Sequence, residues 1–457
     1  MKHSLDDTIA AIATPVGVGG VGVIRISGTE SLSLLKSIFL FSKEPIVVES
    51  HRAYHGWVLD PKASSKVDEA LSIYMKRPNS YTGEDVAEID CHGGGLILKR
   101  ILEIIISYGA RLAEPGEFTK RAFLNGKIDL LQAEAVVDLV KARSNKALEA
   151  AAGQLAGKLS AEIREIRKEL ILLLSEMEAG LDFPEDVGEV TLSEIYSRIR
   201  ISEDKINRLI ETAEEGRVVR EGIRVAIVGK PNVGKSSLLN CLLGEDRAIV
   251  TAIPGTTRDT IEETIILSGF PLIVIDTAGI RHPKDEAEAF GVAKAKEEMK
   301  GAELTIMVID ASQDLSSEDQ AILDEAKKNK AMVALNKIDL GVKDSTCRET
   351  KQFKSFKVSA LKGIGLAELK QGIIDQVIAK PRLEDNGLTL INERHKELLE
   401  KVRECLIKAE ESCKIEMAVE CVAIDIKGAI IAMGEISGEN VSEEVVNEIF
   451  KQFCVGK

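Results

Sequence analysis

The spacing of hydrophobic positions changes three times along the 457 residues. From residue 8 to 119, short alternating runs such as VGVIRIS and ALSIYMK are separated by glycine, and one apolar helix is predicted from about Leu96 to Tyr108. Helical periodicity follows from Lys120 to Glu215, with a break at Asp182 to Gly188. The first segment therefore predicts a small α+β domain, and the second predicts an all-α domain.

Residues 222–380 show a different pattern, in which buried-strand runs such as IRVAIVG and LTIMVID alternate with helical stretches. This alternation is typical of a parallel α/β sheet. Helical periodicity returns after Pro381. We expect a multidomain fold, with an N-terminal α+β domain over 1–119, a helical domain over 120–215 and 381–457, and an α/β domain over 216–380 inserted into the helical one.

The composition of the chain argues against some classes of binding partner. The chain has 60 Lys and Arg against 74 Asp and Glu, a formal net charge of −14, and only 17 aromatic residues. These values argue against an autonomous RNA binder that works by phosphate attraction and base stacking. Seven scattered cysteines without a Cys-x-x-Cys pair, and the lack of an uncharged apolar run of 18 residues, predict a soluble cytoplasmic protein with no membrane contact.

The strongest motif is Gly229-Lys230-Pro231-Asn232-Val233-Gly234-Lys235-Ser236, which lies between the strand pattern IRVAIV and the helix pattern SSLLNCLL. The order strand, glycine-rich loop, helix is the one that lets backbone N–H groups surround phosphate oxygens. In such a loop Lys235 would neutralise the β- and γ-phosphates, and Ser236 would bind Mg²⁺. The motif predicts a nucleotide-binding loop.

Three later motifs identify the nucleotide as GTP. Asp276-Thr277-Ala278-Gly279 follows a strand pattern and can serve Mg²⁺ and the γ-phosphate. Asn336-Lys337-Ile338-Asp339 supplies a carboxylate that can accept two hydrogen bonds from guanine, and Ser359-Ala360 fits the loop that closes over the base. Four motifs in this order predict a P-loop GTPase.

The residue that orients the attacking water is not the one found in Ras-type enzymes, because Ile280 occupies that position and cannot form hydrogen bonds. Glu288 is the candidate for this role, and a solvated glutamate in the first turn of a helix is the alternative. Arg258 and Arg281 have two interpretations, catalytic cations or ordinary surface arginines, and the second is favoured.

Further segments lie outside the GTPase motifs: Gly-Val-Ile-Arg-Ile-Ser-Gly near the N-terminus, Tyr81-Thr82-Gly83-Glu84-Asp85, Glu114-Pro115-Gly116-Glu117-Phe118, Thr251 to Asp259, and the terminal Cys-Val-Gly-Lys. Together with Asn232 in the phosphate loop, they make the full chain resemble the MnmE (TrmE) family of tRNA modification GTPases. This resemblance implies particular ligands, partners and site residues for each domain.

For the GTPase domain, the resemblance implies GTP as substrate with Mg²⁺ and K⁺ as cofactors, and Glu288 as the catalytic residue that orients water. Mg²⁺ would be bound by Ser236 and Thr257. K⁺ would be bound by Asn232, Thr251, Ile253 and Thr256. The nucleotide and ion site would comprise Asn232, Val233, Gly234, Lys235, Ser236, Ser237, Thr251, Ala252, Ile253, Pro254, Gly255, Thr256, Thr257, Asp276, Thr277, Ala278, Gly279, Asn336, Lys337, Asp339, Ser359 and Ala360.

For the N-terminal domain, the resemblance implies homodimerisation and binding of 5-formyltetrahydrofolate or another tetrahydrofolate by Arg25, Glu84, Lys127 and Lys457. Cys454 would be a catalytic residue needed for tRNA modification but not for GTP hydrolysis. The partner would be the FAD-dependent protein MnmG, in a heterotetramer that adds an aminomethyl or carboxymethylaminomethyl group to the 5-position of the wobble uridine of certain tRNAs.

Two other functions use the same motifs: a ribosome-assembly GTPase, and a folate-binding one-carbon protein whose GTPase domain is only regulatory. A basic stretch also has two interpretations, a solvated face or a surface for tRNA phosphates or an acidic partner. Its residues are Lys120, Arg121, Lys127, Lys141, Arg143 and Lys146.

Overall fold

The computed structural model describes residues 7–15, 17–43, 47–183, 190–244, 263–275, 290–377 and 391–457. The chain forms two compact units. The first comprises Met1–Val137, Gln154–Ser202 and Glu404–Lys457, and the second comprises Asp138–Gly153 and Glu203–Arg403. The second unit therefore consists of two segments, each of which interrupts the sequence of the first.

The described strands are β1 Ile9–Ile12, β2 Val21–Ser27, β3 Phe39–Phe41, β4 Arg52–Asp60, β5 Ser65–Met75, β6 Val86–His92, β7 Arg111–Leu112, β8 Ile223–Val228, β9 Glu263–Leu267, β10 Phe270–Val274, β11 Leu304–Asp310, β12 Ala331–Asn336 and β13 Lys354–Lys357. The described helices of the first half are α1 Ser31–Ile38, α2 Gly95–Ser107, α3 Glu117–Leu124, α4 Leu130–Lys141, α5 Asn145–Leu155, α6 Lys158–Asp182 and α7 Leu192–Glu221. Those of the second half are α8 Lys235–Leu243, α9 Phe290–Lys300, α10 Ser317–Ala326, α11 Asp344–Glu349, α12 Leu366–Val377, α13 Glu393–Lys414, α14 Val419–Ser437 and α15 Glu443–Lys451.

The first unit contains a seven-stranded sheet in the order β3-β4-β5-β6-β2-β1-β7. Its neighbours pair antiparallel except β1 and β7, which are parallel. Alternate positions of β2 and β6 are buried, as the alternating sequence predicts. The helix predicted from Leu96 is α2, and its buried residues pack on this sheet.

Helix α1 was not predicted from the sequence, although its pattern contains the signal. Leu34, Leu35 and Ile38 follow helical spacing and are buried in the same core as the sheet. The run is only eight residues long and lies between strands, which is too short for its periodicity alone to predict a helix. In this case tertiary packing, rather than local periodicity, defines the element.

The remaining helices of the first unit form a second layer of packing. Helices α6 and α14 pack against each other, and Arg167 of α6 forms an ion pair of 2.9 Å with Glu439. Helix α15 packs on α3, with Phe450 and Phe453 buried beside Leu130. Among the described helices, none combines the length and apolarity needed to cross a bilayer.

The second unit is built on a six-stranded sheet in the order β13-β12-β11-β8-β10-β9. All neighbours are parallel except β9 and β10, which form a hairpin. The hairpin turn has both Ser268 and Gly269 at positive φ, the conformation that suits the twist of two paired strands. Strand β9 is the addition to the strands predicted from the sequence, and the α+β and α/β classes are confirmed.

Both faces of the second sheet are covered, which explains its nearly continuous apolar strands. Helices α8 and α12 contribute to the core on one face, and α9 and α10 contribute to the core on the other. Ala147 and Ala151 of α5 are also buried in the first of these cores. The three-domain division at residues 119, 215 and 380 stays a prediction beside these two units.

Candidate nucleotide and folate sites

The phosphate loop joins β8 to α8 and has the conformation that its glycines permit. Gly229, Asn232 and Gly234 all have positive φ. A Cβ on Gly229 would lie 2.4 Å from the carbonyl oxygen of Val308, and one on Gly234 would lie 2.3 Å from Nδ2 of Asn336. When left-handed and right-handed backbone conformations follow one another at a helix N-terminus, their N–H groups form a concave site that binds anions. The loop predicted from the sequence thus has the geometry for phosphate.

Lys235 begins α8, and its ammonium group lies against its own loop. Nζ donates to the carbonyl oxygens of Gly229, at 2.5 Å, and Lys230, at 2.9 Å. Ser236 and Ser237 follow it in the first turn and are exposed, as is Asn232. Val233 is buried in the core and anchors the loop.

One side chain connects the phosphate loop to the two base-binding motifs. Asn336, at the end of β12, donates through Nδ2 to the carbonyl oxygen of Val233, at 2.9 Å. Its Oδ1 accepts from the backbone N–H of Ala360, at 3.0 Å. Asn336 is 2% exposed, so these two hydrogen bonds satisfy a buried amide. Three segments that are distant in sequence are brought together by this residue.

Asp339, the predicted reader of guanine, lies beside Ser359. The Ser359 hydroxyl donates to Oδ1 of Asp339 at 2.6 Å, and this bond holds the pKa of the carboxyl below its ordinary value. Lys337 has a positive φ and its ammonium pairs with Asp310 at 2.8 Å. Leu361, the residue after Ser359-Ala360, is exposed. The carboxylate predicted to recognise guanine is thus held in its charged form by a neighbouring hydroxyl.

Several predicted site residues fall outside the described part of the chain. They are Thr251, Ala252, Ile253, Pro254, Gly255, Thr256, Thr257, Asp276, Thr277, Ala278, Gly279 and Glu288. Their assignments remain predictions. Arg258 and Arg281, whose two interpretations stay open, also lie outside the described residues.

In the first unit, Arg25 lies on β2 opposite Ala11 of β1 and Glu88 of β6. Its Nε donates to Glu88 Oε1 at 2.6 Å. The guanidinium carbon lies 5.4 Å from the ring centroid of Tyr81 and 5.7 Å from that of Phe118. Because cations are attracted to aromatic faces, the two rings and the carboxylate fix this charge at the sheet surface.

Glu84 lies in the loop before β6 and is held by the same strand, β2, through Ser27. Its Oε2 accepts from the Ser27 hydroxyl at 2.7 Å, and both of its oxygens lie within 3.3 Å of Arg121 Nη1. Asn125 donates to the carbonyl oxygen of Thr82, and the stem of Lys127 lies against Gly83. The loop that carries Glu84 therefore contacts Lys127, whose ammonium donates to the carbonyl oxygen of Pro78 at 3.0 Å.

Arg121 does not fit the interpretation of its segment as a phosphate-binding face. It is 1% exposed, and its guanidinium donates to Asp7, Glu84 and Glu117. A buried, fully surrounded arginine cannot reach a polyanion. The sequence does not predict that Arg121 pairs with buried carboxylates, because a basic residue in a helical pattern normally lies in solvent.

The C-terminal segment ends at the first sheet. Gly116 N–H donates to the carbonyl oxygen of Cys454 at 3.3 Å, and Cys454 is exposed. A Cβ on Gly456 would lie 2.3 Å from the carbonyl oxygen of Ile12, the residue that pairs with Ile24 beside Arg25. The terminal segment thus lies at the Ile12 end of β1, one residue from the pair of Ala11 with Arg25. Glu84 bonds to Ser27, which pairs with Ile9 at the opposite end of the strand.

A glycine-lined phosphate loop before a helix, at the carboxyl end of a parallel sheet and beside a guanine-type Asn-Lys-x-Asp loop, defines a P-loop GTPase. Comparison with known proteins specifies the type. The model of the GTP-binding protein TrmE N-terminus matches residues 8–127, and that of the MnmE helical domain matches residues 130–454.

Curated relatives match over essentially the whole chain. The tRNA modification GTPase MnmE of Natranaerobius thermophilus is 46% identical over 99% of this chain and 100% of its own length. That of Acetivibrio thermocellus is 45% identical over 99% of both chains. The G domain of the T. maritima FeoB iron transporter, a solved structure, is 25% identical over 34% of this chain and 98% of its own, with a TM-score of 0.26. The chain belongs to the MnmE family of tRNA modification GTPases.

Proposed function

We propose that this protein is the K⁺-dependent GTP-hydrolysing component of an MnmE–MnmG complex. The complex adds an aminomethyl or carboxymethylaminomethyl group to the 5-position of the wobble uridine of certain tRNAs, with the one-carbon unit taken from a bound tetrahydrofolate. The protein acts as a homodimer in the cytoplasm, and its FAD-dependent partner completes a heterotetramer. No observation favours the ribosome-assembly alternative or a merely regulatory GTPase domain.

The described phosphate loop supports the nucleotide part of the proposal. Its positive-φ residues suit phosphate oxygens, and Lys235 lies where it can neutralise them. Ser236 offers a hydroxyl oxygen in the first turn of α8, which is a suitable ligand for Mg²⁺ together with Thr257. Mg²⁺ neutralises phosphate charge when it is bound.

The K⁺ part of the proposal rests on oxygen donors. Asn232 is exposed and has a positive φ, so its amide oxygen can reach outward from the loop. The other proposed donors are Thr251, Ile253 and Thr256. A cation there supplies the positive charge that other GTPases obtain from an inserted arginine, and Glu288 orients the water.

The docking of the C-terminal segment carries the proposal of one-carbon chemistry. It brings the exposed Cys454 and Lys457 to the end of β1, whose partner strand bears Arg25. Glu84 is an acceptor suited to the donor edge of a pterin, while Arg25, Lys127 and Lys457 suit the carboxylates of the folate tail. Cys454 and the proposed folate residues lie in the same compact unit, which supports the proposed one-carbon chemistry.

GTP turnover in K⁺ compared with Na⁺ tests the cation mechanism. We expect faster turnover in K⁺, and we expect Asn232→Ala to remove most of the difference. Equal rates in the two salts would exclude the mechanism.

Tetrahydrofolate binding tests the second site, with Arg25→Met as the variant. The matched control is Arg52→Met, because Arg52 pairs with Glu49 on the surface of the same unit. We expect Arg25→Met alone to weaken binding. Mass spectrometry of nucleosides from cells that lack the gene then tests the reaction, and unchanged wobble uridine would contradict the proposal.

A further inference from the structure

The segment from the end of β11 to the first turn of α10 carries two buried carboxylates, and each binds a lysine from a different nucleotide loop. Asp310 is 4% exposed, and Asp319 is 0% exposed. Asp310 Oδ2 lies 2.8 Å from Nζ of Lys337, in the base loop. Asp319 Oδ2 lies 2.7 Å from Nζ of Lys230, in the phosphate loop. A single segment, without a nucleotide-binding motif of its own, therefore contacts both loops.

Asp310 is held rigidly at the end of β11. Its Oδ1 accepts from the backbone N–H of Ser312 at 3.0 Å and from the Ser312 hydroxyl at 2.6 Å, and Gln313 donates to its Oδ2 at 3.2 Å. Burial alone would raise the pKa of Asp310, but the bonds from Lys337 and Ser312 lower it below the ordinary value. Asp310 is therefore a fixed negative charge for the ammonium of Lys337.

Asp319 is fixed by the first turn of α10. Its Oδ2 accepts from the backbone N–H and the hydroxyl of Ser316, at 3.0 and 2.7 Å, which completes a capping box. The helix N-terminus stabilises a negative charge at this position. The same carboxylate reaches Lys230, so the phosphate loop is connected to α10 by a short ion pair.

The contact continues from Lys230 to the phosphate-binding lysine. The carbonyl oxygen of Lys230 accepts from Nζ of Lys235 at 2.9 Å. The side chain of Lys230 is directed to Asp319 while its backbone receives Lys235, so the orientation of this residue sets the position of the Lys235 ammonium. Buried ion pairs add little net stability compared with apolar replacements, which favours a positioning role over a purely stabilising one.

We propose that Asp310 and Asp319 are positioning residues of the nucleotide site, Asp310 for the base-binding lysine Lys337 and Asp319, through Lys230, for the phosphate-binding lysine Lys235. The inference rests on the proposed nucleotide roles of Lys337 and Lys235. It makes the segment 310–319 part of the nucleotide site, although this segment contains none of the nucleotide-binding motifs.

Dissociation constants for GMP and GDP distinguish the role of Asp310 at the base-binding lysine from the role of Asp319 at the phosphate-binding lysine. Lys230→Met disturbs the loop that holds the outer phosphate, so we expect about tenfold weaker GDP binding, about 1.4 kcal/mol, with a smaller effect on GMP. Asp310→Asn keeps the hydrogen-bonding shape and removes the charge beside Lys337. It should weaken GMP and GDP by the same factor, so that only Lys230→Met changes the ratio of the two constants.

The matched control is Lys327→Met, which removes an exposed pair with Asp324 at the end of the same helix. It should bind both nucleotides like the wild type. Lys230→Arg keeps the charge and should restore GDP binding. A defect in folding alone would weaken GMP and GDP binding by the same factor, whereas a positioning defect at Lys230 weakens GDP binding more. Lys230→Met combined with Asp319→Asn should be no weaker than Lys230→Met alone.

Two results would overturn the inference. In the first, Lys230→Met and Asp310→Asn bind GDP as well as Lys327→Met does. In the second, Lys230→Met lowers the affinities for GMP and GDP by the same factor, as Asp310→Asn does, so that the ratio of the two dissociation constants does not differ between the variants. Failure of the wild-type protein to bind GDP would instead contradict the proposed nucleotide site. If Lys230→Met does not fold, Asp319→Asn tests the ratio in its place, because it removes the charge that orients Lys230 without leaving a buried carboxylate unpaired. It should weaken GDP binding more than GMP binding, and equal effects on the two nucleotides would overturn the inference.

Discussion

Arg121 illustrates how much a single buried residue can depend on its surroundings. Its guanidinium lies within hydrogen-bonding distance of Asp7, Glu84 and Glu117, and Arg111 pairs with Asp7 and Glu117 as well. These charges are partly removed from water, so each depends on the others for compensation. The network connects the N-terminal segment, the loop that carries Glu84 and helix α3.

Replacement of Arg121 by Met should strongly destabilise the first unit. The change leaves three carboxylates short of one cation, and breaking a buried pair typically costs about 3–5 kcal/mol. Urea unfolding followed by fluorescence of Trp57, the one tryptophan in the sequence, would measure the loss. Arg52→Met should change stability by less than about 1 kcal/mol, because its pair is exposed.

The same network predicts sensitivity to acid. Burial would raise the pKa of Asp7 and Glu117, but bonds from Arg111 and Arg121 lower both below their ordinary values. Their stabilisation is therefore complete above the unfolded carboxyl range, near about pH 4 to 5, and is lost as the pH falls through the lower folded values. Trp57 unfolding curves between about pH 7 and pH 3 should show this decline, and a smaller one for Arg121→Met. Parallel curves would contradict the prediction.

At the scale of elements, the C-terminal segment shows how a glycine allows a short motif to pack against a strand. Gly456 has a φ of +95°, and its Cα faces the carbonyl oxygen of Ile12. Both observations exclude a side chain at this position. The segment after α15 therefore rests on β1 only because a glycine allows the close approach.

Gly456→Val should displace this segment and separate Cys454 from the proposed folate residues. We expect loss of wobble-uridine modification in cells, measured by nucleoside mass spectrometry, with little change in GTP turnover, because the phosphate loop belongs to the other unit. Val455→Ser, at a half-exposed neighbouring position, should keep normal modification. Normal modification in Gly456→Val cells would show that docking is not required.

At the scale of the whole molecule, charge limits how the protein can handle RNA. The net charge of −14 is unfavourable for a polyanion, and the basic stretch does not act as one face. Arg121 is buried, and Lys120 donates to Asn447 at 2.7 Å. We expect recognition of tRNA to depend on the partner protein proposed above.

The isolated protein should bind tRNA no more tightly than about 10⁻⁶ M at physiological salt, in the range of non-specific binding. Fluorescence anisotropy with labelled tRNA at several salt concentrations would measure the affinity and its salt dependence. An unrelated RNA of the same length is the control and should bind equally. Nanomolar binding with a steep salt dependence would contradict this expectation.

The sequence alone was sufficient for the fold classes and for the phosphate loop. That loop is contiguous, so its residue spacing carries its geometry, and alternating or continuous apolar runs follow from which faces of a sheet are covered. The short helix α1 and strand β9 were missed because packing against distant residues, rather than local pattern, stabilises them.

Only the tertiary structure decided which distant residues meet. The bonds of Asn336 to Val233 and Ala360, and the burial of Arg121, join segments that are far apart in the sequence. Gly456 meets Ile12 from the opposite end of the chain. A sequence motif specifies chemical groups, but the contacts that orient those groups arise from long-range packing, which local spacing does not encode.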